Sequence, residues 1–207
     1  MSSFQKILTR LTGGLYIPES VRRIKSKTLL HISDTPAMIL PNMKMLIKTL
    51  EPDYIVHTGD LIDNIKLELY PNRKEDYAKQ LKKLKVILQD SNNARVLIAL
   101  GNHDDPALVR SLFNKSEIYD SPTDISIENL TFHINHYSPE ISKLPQNSDY
   151  SLFGHDLSMR SHAEGITTYL NGIENIHLIN LETKELHRLE YPSGTNDSRM
   201  CKHSIGI

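Results

Sequence analysis

YIVHTGDLID, residues 54–63, is a short apolar run that breaks at Gly59 and ends in carboxylates at Asp60 and Asp63. Continuous apolar residues bounded by turn residues read as a buried strand. Tyr54 to Thr58 is therefore expected to present Asp60 at a strand's carboxyl end. The same pattern recurs three times: HISD closes at Asp34, ALGNHDD surrounds Asn102 and LFGHD surrounds His155. Chemistry gathered outside the carboxyl ends of several strands is how an open α/β sheet builds a ligand site.

Leu29 to Ser33 and Arg95 to Leu100 read as two further buried strands. Between residues 74 and 90, Tyr77, Leu81, Leu84, Ile87 and Leu88 form one apolar stripe, while Lys79, Lys82, Lys83 and Lys85 lie largely off it. That spacing predicts an amphipathic helix with a solvated lysine face. Strands alternating with helices predict parallel βαβ units. After residue 115 the links shorten, and Ile125 to Ile134, Tyr150 to Phe153, Gly165 to Leu170, Ile176 to Leu181 and Leu186 to Tyr191 read as strands of a second, more antiparallel sheet, with a turn at Asn171-Gly172.

The chain divides into a basic segment 1–27, a domain over 28–191 and a polar tail 192–207 expected to be mobile. The first segment carries Lys6, Arg10, Arg22, Arg23, Lys25 and Lys27 against Glu19 alone, with Phe4, Ile7, Leu8 and Leu11 at helical spacing. It is the one stretch suited to an anionic membrane surface; a helix docked on its own domain is the competing reading. With 207 residues, 39% apolar and 24% charged, the composition supports one sizeable core. A net charge of −1 gives nucleic-acid binding no electrostatic support. Cys201 is the single cysteine, so no intrachain disulfide can form and a cytoplasmic, reducing setting is the expectation. Oligomeric state leaves no mark on the sequence.

The strand-end residues form a mixed ligand set. Asp34 and Asp60 offer carboxylate oxygens, Asn102 an amide oxygen, and His136 and His155 imidazole nitrogens. Such a set suits Mn, Fe, Zn or Ni better than calcium. Gly59, Gly101 and Gly154 each precede one of these residues, where a missing Cβ lets the backbone turn and approach closely. His31, His57 and His133 stand three residues before a candidate ligand, so strand alternation sends them to the opposite face as interior histidines.

Gly59-Asp60-Leu61-Ile62-Asp63, Gly101-Asn102-His103-Asp104 and Gly154-His155 resemble the motifs of the calcineurin-like metallophosphoesterase family. The resemblance implies an α/β fold in which a two-sheet β-sandwich is flanked by helices (α/β/β/α), with a two-metal site at one end. It implies Asp60 as the carboxylate bridging both metals, Asn102, His136 and His155 as the other ligands of one, and Asp34 as a ligand of the second. His103, oriented by Asp104, becomes an acid contacting the substrate phosphate. Two positions depart from the family pattern: Pro36 and Leu157 stand where it has histidines. Both losses fall on the same metal, so one tight site and a weak or absent second are expected. Mn is the first choice, with Fe, Zn, Ni and Mg as alternatives; Asp156, His162 and Asp63 are candidates to replace the missing ligands.

Two functions follow from this pattern. One is a metal-dependent phosphoesterase acting on a small phosphomonoester or phosphodiester through a metal-activated water. The other is a catalytically weakened metal-binding scaffold that holds a protein partner. The His103-Asp104 pair favours the enzyme, whereas Pro36 and Leu157 favour the scaffold. Residues 62–74 and 137–147 are expected to form the rims that select a substrate.

Overall fold

The computed structural model describes residues 6–9, 13–90, 92–138 and 148–200. Phe4, Arg10, Leu11, Cys201, most of the expected rim at 137–147 and the end of the tail lie outside them.

Two mixed sheets form the molecule. The first has strand order β11-β10-β1-β2-β3-β4 and the second β5-β6-β7-β9-β8. In the first, β1 (Thr28–Ile32), β2 (Tyr54–His57), β3 (Arg95–Ala99) and β4 (Glu117–Tyr119) run parallel. β10 (Ile176–Asn180) lies antiparallel to β1, and β11 (Leu186–Leu189) antiparallel to β10. In the second, β5 (Thr123–Ile127) and β6 (Leu130–Ile134) are antiparallel, as are β8 (His162–Glu164) and β9 (Thr167–Asn171). β7 (Tyr150–Phe153) runs parallel to both β6 and β9.

Strand alternation divides the core into two layers. Leu30, Ile32, Ile55, Val96 and Ile98 face α2 (Leu40–Leu50), α3 (Lys74–Lys85) and α4 (Pro106–Leu112), which bury Met43, Leu46, Tyr77, Leu81 and Val109 against them. Leu29, Val56 and Leu97 point the other way and pack on Phe132, Ile134, Leu152 and Leu170 of the second sheet. The five-residue stripe expected on the lysine-rich helix is buried, although its last turn, Val86–Asp90, widens to a π-helix. α4 begins at Asp105, whose carboxylate caps Leu108 N at 2.9 Å, with Pro106 in the first turn. No helix among the described residues is long and apolar enough to cross a membrane.

Three sequence expectations need correction. Residues 125–134 are not one strand: Glu128, with φ +53°, and Asn129 form a two-residue turn between β5 and β6. Glu-Asn lacks the Asn-Gly signature that marks such turns. β10 and β11 return to the first sheet, where apolar periodicity cannot assign a strand's neighbour. The described part of the tail is also anchored. Thr195 and Arg199 of α5 (Thr195–Arg199) are buried, as are Leu15, Ile17 and Val21 near the other end, the last on the single turn α1 (Glu19–Arg22).

Candidate metal centre

Parallel pairing brings the carboxyl ends of β1, β2 and β3 to one edge, where Asp34, Asp60 and Asn102 emerge; β6 and β7 carry His136 and His155 to the same place. Asp34, Asp60 and His155 all adopt positive φ, at +48°, +53° and +67°. Three of the six such non-glycine residues described are thus candidate ligands. Left-handed backbone at non-glycine positions is strained and is held in place by its surroundings, here by close packing. A Cβ on Gly59 would lie 2.5 Å from His136 Nδ1, and one on Gly154 would lie 2.4 Å from Asp34 Oδ2. The strand ends meet because these positions carry no side chain.

His136 defines the ligand side. Its Nδ1 lies 2.7 Å from the Thr58 carbonyl oxygen, which can only accept. In the neutral ring the proton is therefore on Nδ1, and Nε2 presents a lone pair. That lone pair faces Asn102 Oδ1 at 3.1 Å, His155 Nδ1 at 3.2 Å and Asp60 Oδ2 at 3.7 Å. The Asn102 amide donates its Nδ2 to Glu68, which turns Oδ1 inward. Lone pairs thus face one another with no proton between His136 and Asn102, an arrangement that a cation satisfies. Ligand atoms of Asp60, His136 and His155 fall within 4.8 Å of one another.

The other side of Asp60 is acidic. Asp34, Asp60 and Asp63 are each at most 2% exposed. Burial, followed by the charges of Asp34, Asp104 and Asp63, pushes the Asp60 carboxyl well above the usual range. Burial and Asp34 raise Asp63 to about 6, opposed by Lys66, which is ion-paired to it. A divalent ion would relieve this crowding. Asp34 Oδ2 accepts from Ser33 Oγ at 2.5 Å and His155 N at 3.1 Å.

His103 lies on the acidic side, with Asp63 and Asp60 within 4.8 Å and Glu68 Oε2 3.5 Å from its Nδ1. Burial and the nearby Lys66 ammonium lower its pKa to about 4, so the free ring is neutral at pH 7. Asp104 does not orient this ring through any hydrogen bond described. Its Oδ1 accepts from Leu61 N at 2.8 Å and Tyr77 Oη at 2.7 Å, and its Oδ2 from Asp60 N at 2.9 Å and Gly101 N at 2.8 Å. Four donors fill the carboxylate, so it ties the Asp60 turn to the Gly101 turn. The carboxylates near the imidazole are Glu68, 3.5 Å away, and Asp63 and Asp60, within 4.8 Å.

Of the three expected substitutes for the missing imidazoles, Asp63 lies in the pocket, within 4.8 Å of Asp60 and His103, whereas Asp156 and His162 engage other partners. Asp156 accepts from Ser158 N and Oγ at 2.7 and 2.8 Å, and His162 stacks on Tyr169 with ring centroids 4.8 Å apart. Leu157 is 37% exposed. His57 and His31 behave as alternation predicts. Gly59 N donates to His57 Nδ1 at 3.2 Å, leaving Nε2–H to donate to Thr35 Oγ1 at 2.9 Å. Buried His31 hydrogen-bonds Thr58 Oγ1 at 3.0 Å; His133 departs from the expectation, lying only partly buried on the face of β6 away from the core, with Nδ1 2.7 Å from Oδ1 of exposed Asp124.

Several contributors escaped the sequence reading. Arg199, 3% exposed, donates to the carbonyls of Asp34 at 2.7 Å, Ser33 at 3.1 Å and Ile173 at 2.7 Å, and sits 4.2 Å above the Tyr191 ring. It braces the strained Asp34 turn from behind. A lone arginine in a polar tail carries no periodic signal. Lys66 and Glu68 lie on the loop expected to form a rim, but nothing in their spacing distinguishes them from solvated charges.

The sequence profile of the calcineurin-like phosphoesterase family matches residues 27–196. Among solved structures, the chain is similar to Yfce, a phosphoesterase from E. coli, with a TM-score of 0.53 and 15% identity over 79% of this chain and 98% of that one. A Thermotoga maritima protein solved by NMR is 19% identical over 80% of this chain and 99% of that one, with a TM-score of 0.46. At 15% identity the likeness to Yfce concerns the fold. No curated protein matches the sequence.

Proposed function

The chain belongs to the calcineurin-like phosphoesterase family, and we propose that it hydrolyses a phosphate ester of a small molecule, monoester or diester, using one tightly held divalent metal, with Mn²⁺ the first candidate. The observation that carries this reading is the convergence of Asp60, Asn102, His136 and His155 on one point, with the His136 proton committed to the Thr58 carbonyl. When bound there, the ion supplies Lewis-acid charge and a water of lowered pKa.

The chain's own groups do the rest. Asp60 is aimed by the His103 backbone N–H, which donates to its Oδ1 at 3.0 Å and leaves Oδ2 toward His136. Asp104 fixes the distance between the Asp60 and Gly101 turns, so that Asn102 and Asp60 share one pocket. His103, outside the ligand set and 9% exposed, faces the bound phosphate. Its ring donates an N–H to the ester oxygen, and an anionic phosphate beside it raises its affinity for the proton that the leaving group needs.

The test compares wild type, His103→Ala and Asn102→Ala, carried through identical purification, for Mn²⁺-dependent hydrolysis of chromogenic monoesters and diesters. His103→Ala is expected to keep its metal and lose roughly two to four orders of magnitude in turnover, the usual worth of a general acid. Asn102→Ala is expected to lose metal as well. Equal activity in all three proteins overturns the proposal. Tight metal binding without turnover by the wild type would favour the metal-braced scaffold, the reading for which Pro36 and Leu157 speak.

A further inference from the structure

The acidic side of the pocket already holds a cation. Asp63 is 1% exposed, and its Oδ1 accepts from Lys66 Nζ, whose side chain is 19% exposed. Ligand atoms of Asp63, Asp60 and His103 lie within 4.8 Å of one another. The ammonium is therefore one hydrogen bond from a carboxylate that adjoins both the central aspartate and the ring facing the phosphate. Its backbone is fixed: the Lys66 carbonyl accepts from Leu69 N at 3.0 Å and Tyr70 N at 2.8 Å, and Ile65 beside it is 2% exposed. A flexible surface lysine would have neither anchor.

Charge balance agrees with this placement. Asp34, Asp60, Asp63 and Asp104 are the buried carboxylates of the pocket, and Lys66 and Arg199 are its cations. With all four ionised, one divalent ion among the imidazoles balances this buried set, and Glu68 adds a further negative charge at the rim. A second divalent ion would have to compete with Lys66 for Asp63, while Pro36 and Leu157 offer it no donor atom. We propose that the Lys66 ammonium is a resident cation of the active site, standing beside Asp63 and His103 where a second metal would need to bind, and that it contacts a non-bridging oxygen of the substrate phosphate. A tethered ammonium with three donors suits that task, since it binds phosphate as a point charge with no required bidentate geometry.

The inference rests on the phosphoesterase reading, and the experiment separates the two. Calorimetry with Mn²⁺ alone, then with inorganic phosphate at one equivalent of Mn²⁺, is run on wild type, Lys66→Met, Lys66→Arg and the double variant Lys66→Met/Asp63→Asn. The double variant removes the partner carboxylate, so that misfolding caused by an unpaired Asp63 is avoided. Wild type is expected to bind one Mn²⁺ tightly. Lys66→Met is expected to hold that first ion as well as wild type does, to bind phosphate about 10- to 100-fold more weakly, and to accept a second Mn²⁺ at concentrations where wild type does not. Lys66→Arg should recover part of the phosphate affinity, and the double variant should show the same phosphate loss as Lys66→Met. Unchanged phosphate affinity in both Lys66→Met and the double variant overturns the role of Lys66 while leaving hydrolysis intact. Two tightly bound ions in wild type do the same. A wild-type protein that neither binds phosphate nor turns over esters removes the phosphoesterase reading and this inference together.

Discussion

Asp60 separates two half-sites that rest on the same strand ends but differ in chemistry. Toward β6 and β7 it meets ring nitrogens and an amide oxygen, with the His136 Nε2 lone pair facing Asn102 Oδ1 at 3.1 Å and His155 Nδ1 3.2 Å away. Toward β1 and the loop after β2 it meets charges: Asp34, Asp63 and the Lys66 ammonium. Neutral lone pairs crowded together gain most from a cation that coordinates them, because no proton can serve all of them. Carboxylates can be neutralised by an ammonium, and here one of them is. An ion would satisfy the first half-site, and the second is partly satisfied without one.

Asp60→Asn tests what the halves share and should have the largest effect. It keeps the shape and removes the charge common to both sides, so Mn²⁺ affinity should fall by at least the ~100-fold that loss of an outer hydrogen-bonding partner can cost. Turnover should fall with it. Elemental analysis after gel filtration measures the retained metal, and wild-type retention would remove Asp60 from the site.

A smaller effect is expected on the imidazole side alone. Glu68→Ala frees the Asn102 amide to rotate, so Mn²⁺ affinity should drop about 10- to 100-fold, the range for lost outer partners. Circular dichroism should be unchanged, since Glu68 is exposed. Calorimetry decides this: an unchanged affinity means that Asn102 is held by other means, or is no ligand.

The histidines behind the site offer the finest contrast. His136 and His155 present ring nitrogens to the pocket, whereas His57 and His177 are held neutral by burial, each with its pKa lowered to about 3 from 6.5, and His31 is lowered well below it. The unfolded chain takes up these protons as pH falls below 6.5 and the folded chain does not. Stability from these groups is therefore complete above about pH 6.5 and is lost as pH falls toward 3, at up to ~1.4 kcal/mol per pH unit for each group. Urea unfolding between pH 7.5 and 5 measures the slope. His177→Gln should flatten it, and an unaltered slope would show that this ring is not held neutral in the fold.

Local residue patterns mark where chemistry emerges. Apolar runs ending in Gly-Asp, Gly-Asn and Gly-His mark strand ends whatever their partners, because burial of a strand and the freedom of glycine are local properties. The stripe from Tyr77 to Leu88 was legible for the same reason. Which strands pair is not local: β10 and β11 have the same pattern as the strands of the second sheet, yet they extend the first. Hydrogen-bond destinations are equally nonlocal. Asp104 follows His103 in the chain, but its carboxylate reaches the turns at Gly101 and Asp60, and Glu68 and Asp63 from another loop stand by the imidazole. Arg199 reads as one charge in a polar tail until folding places it under Asp34. Lys66 is one lysine among many until the Asp63 turn carries its ammonium into the pocket. The chain order supplies the kinds of ligand, and folding settles which charge faces which, because Coulomb and hydrogen-bond energies depend on separations that the order of residues does not contain.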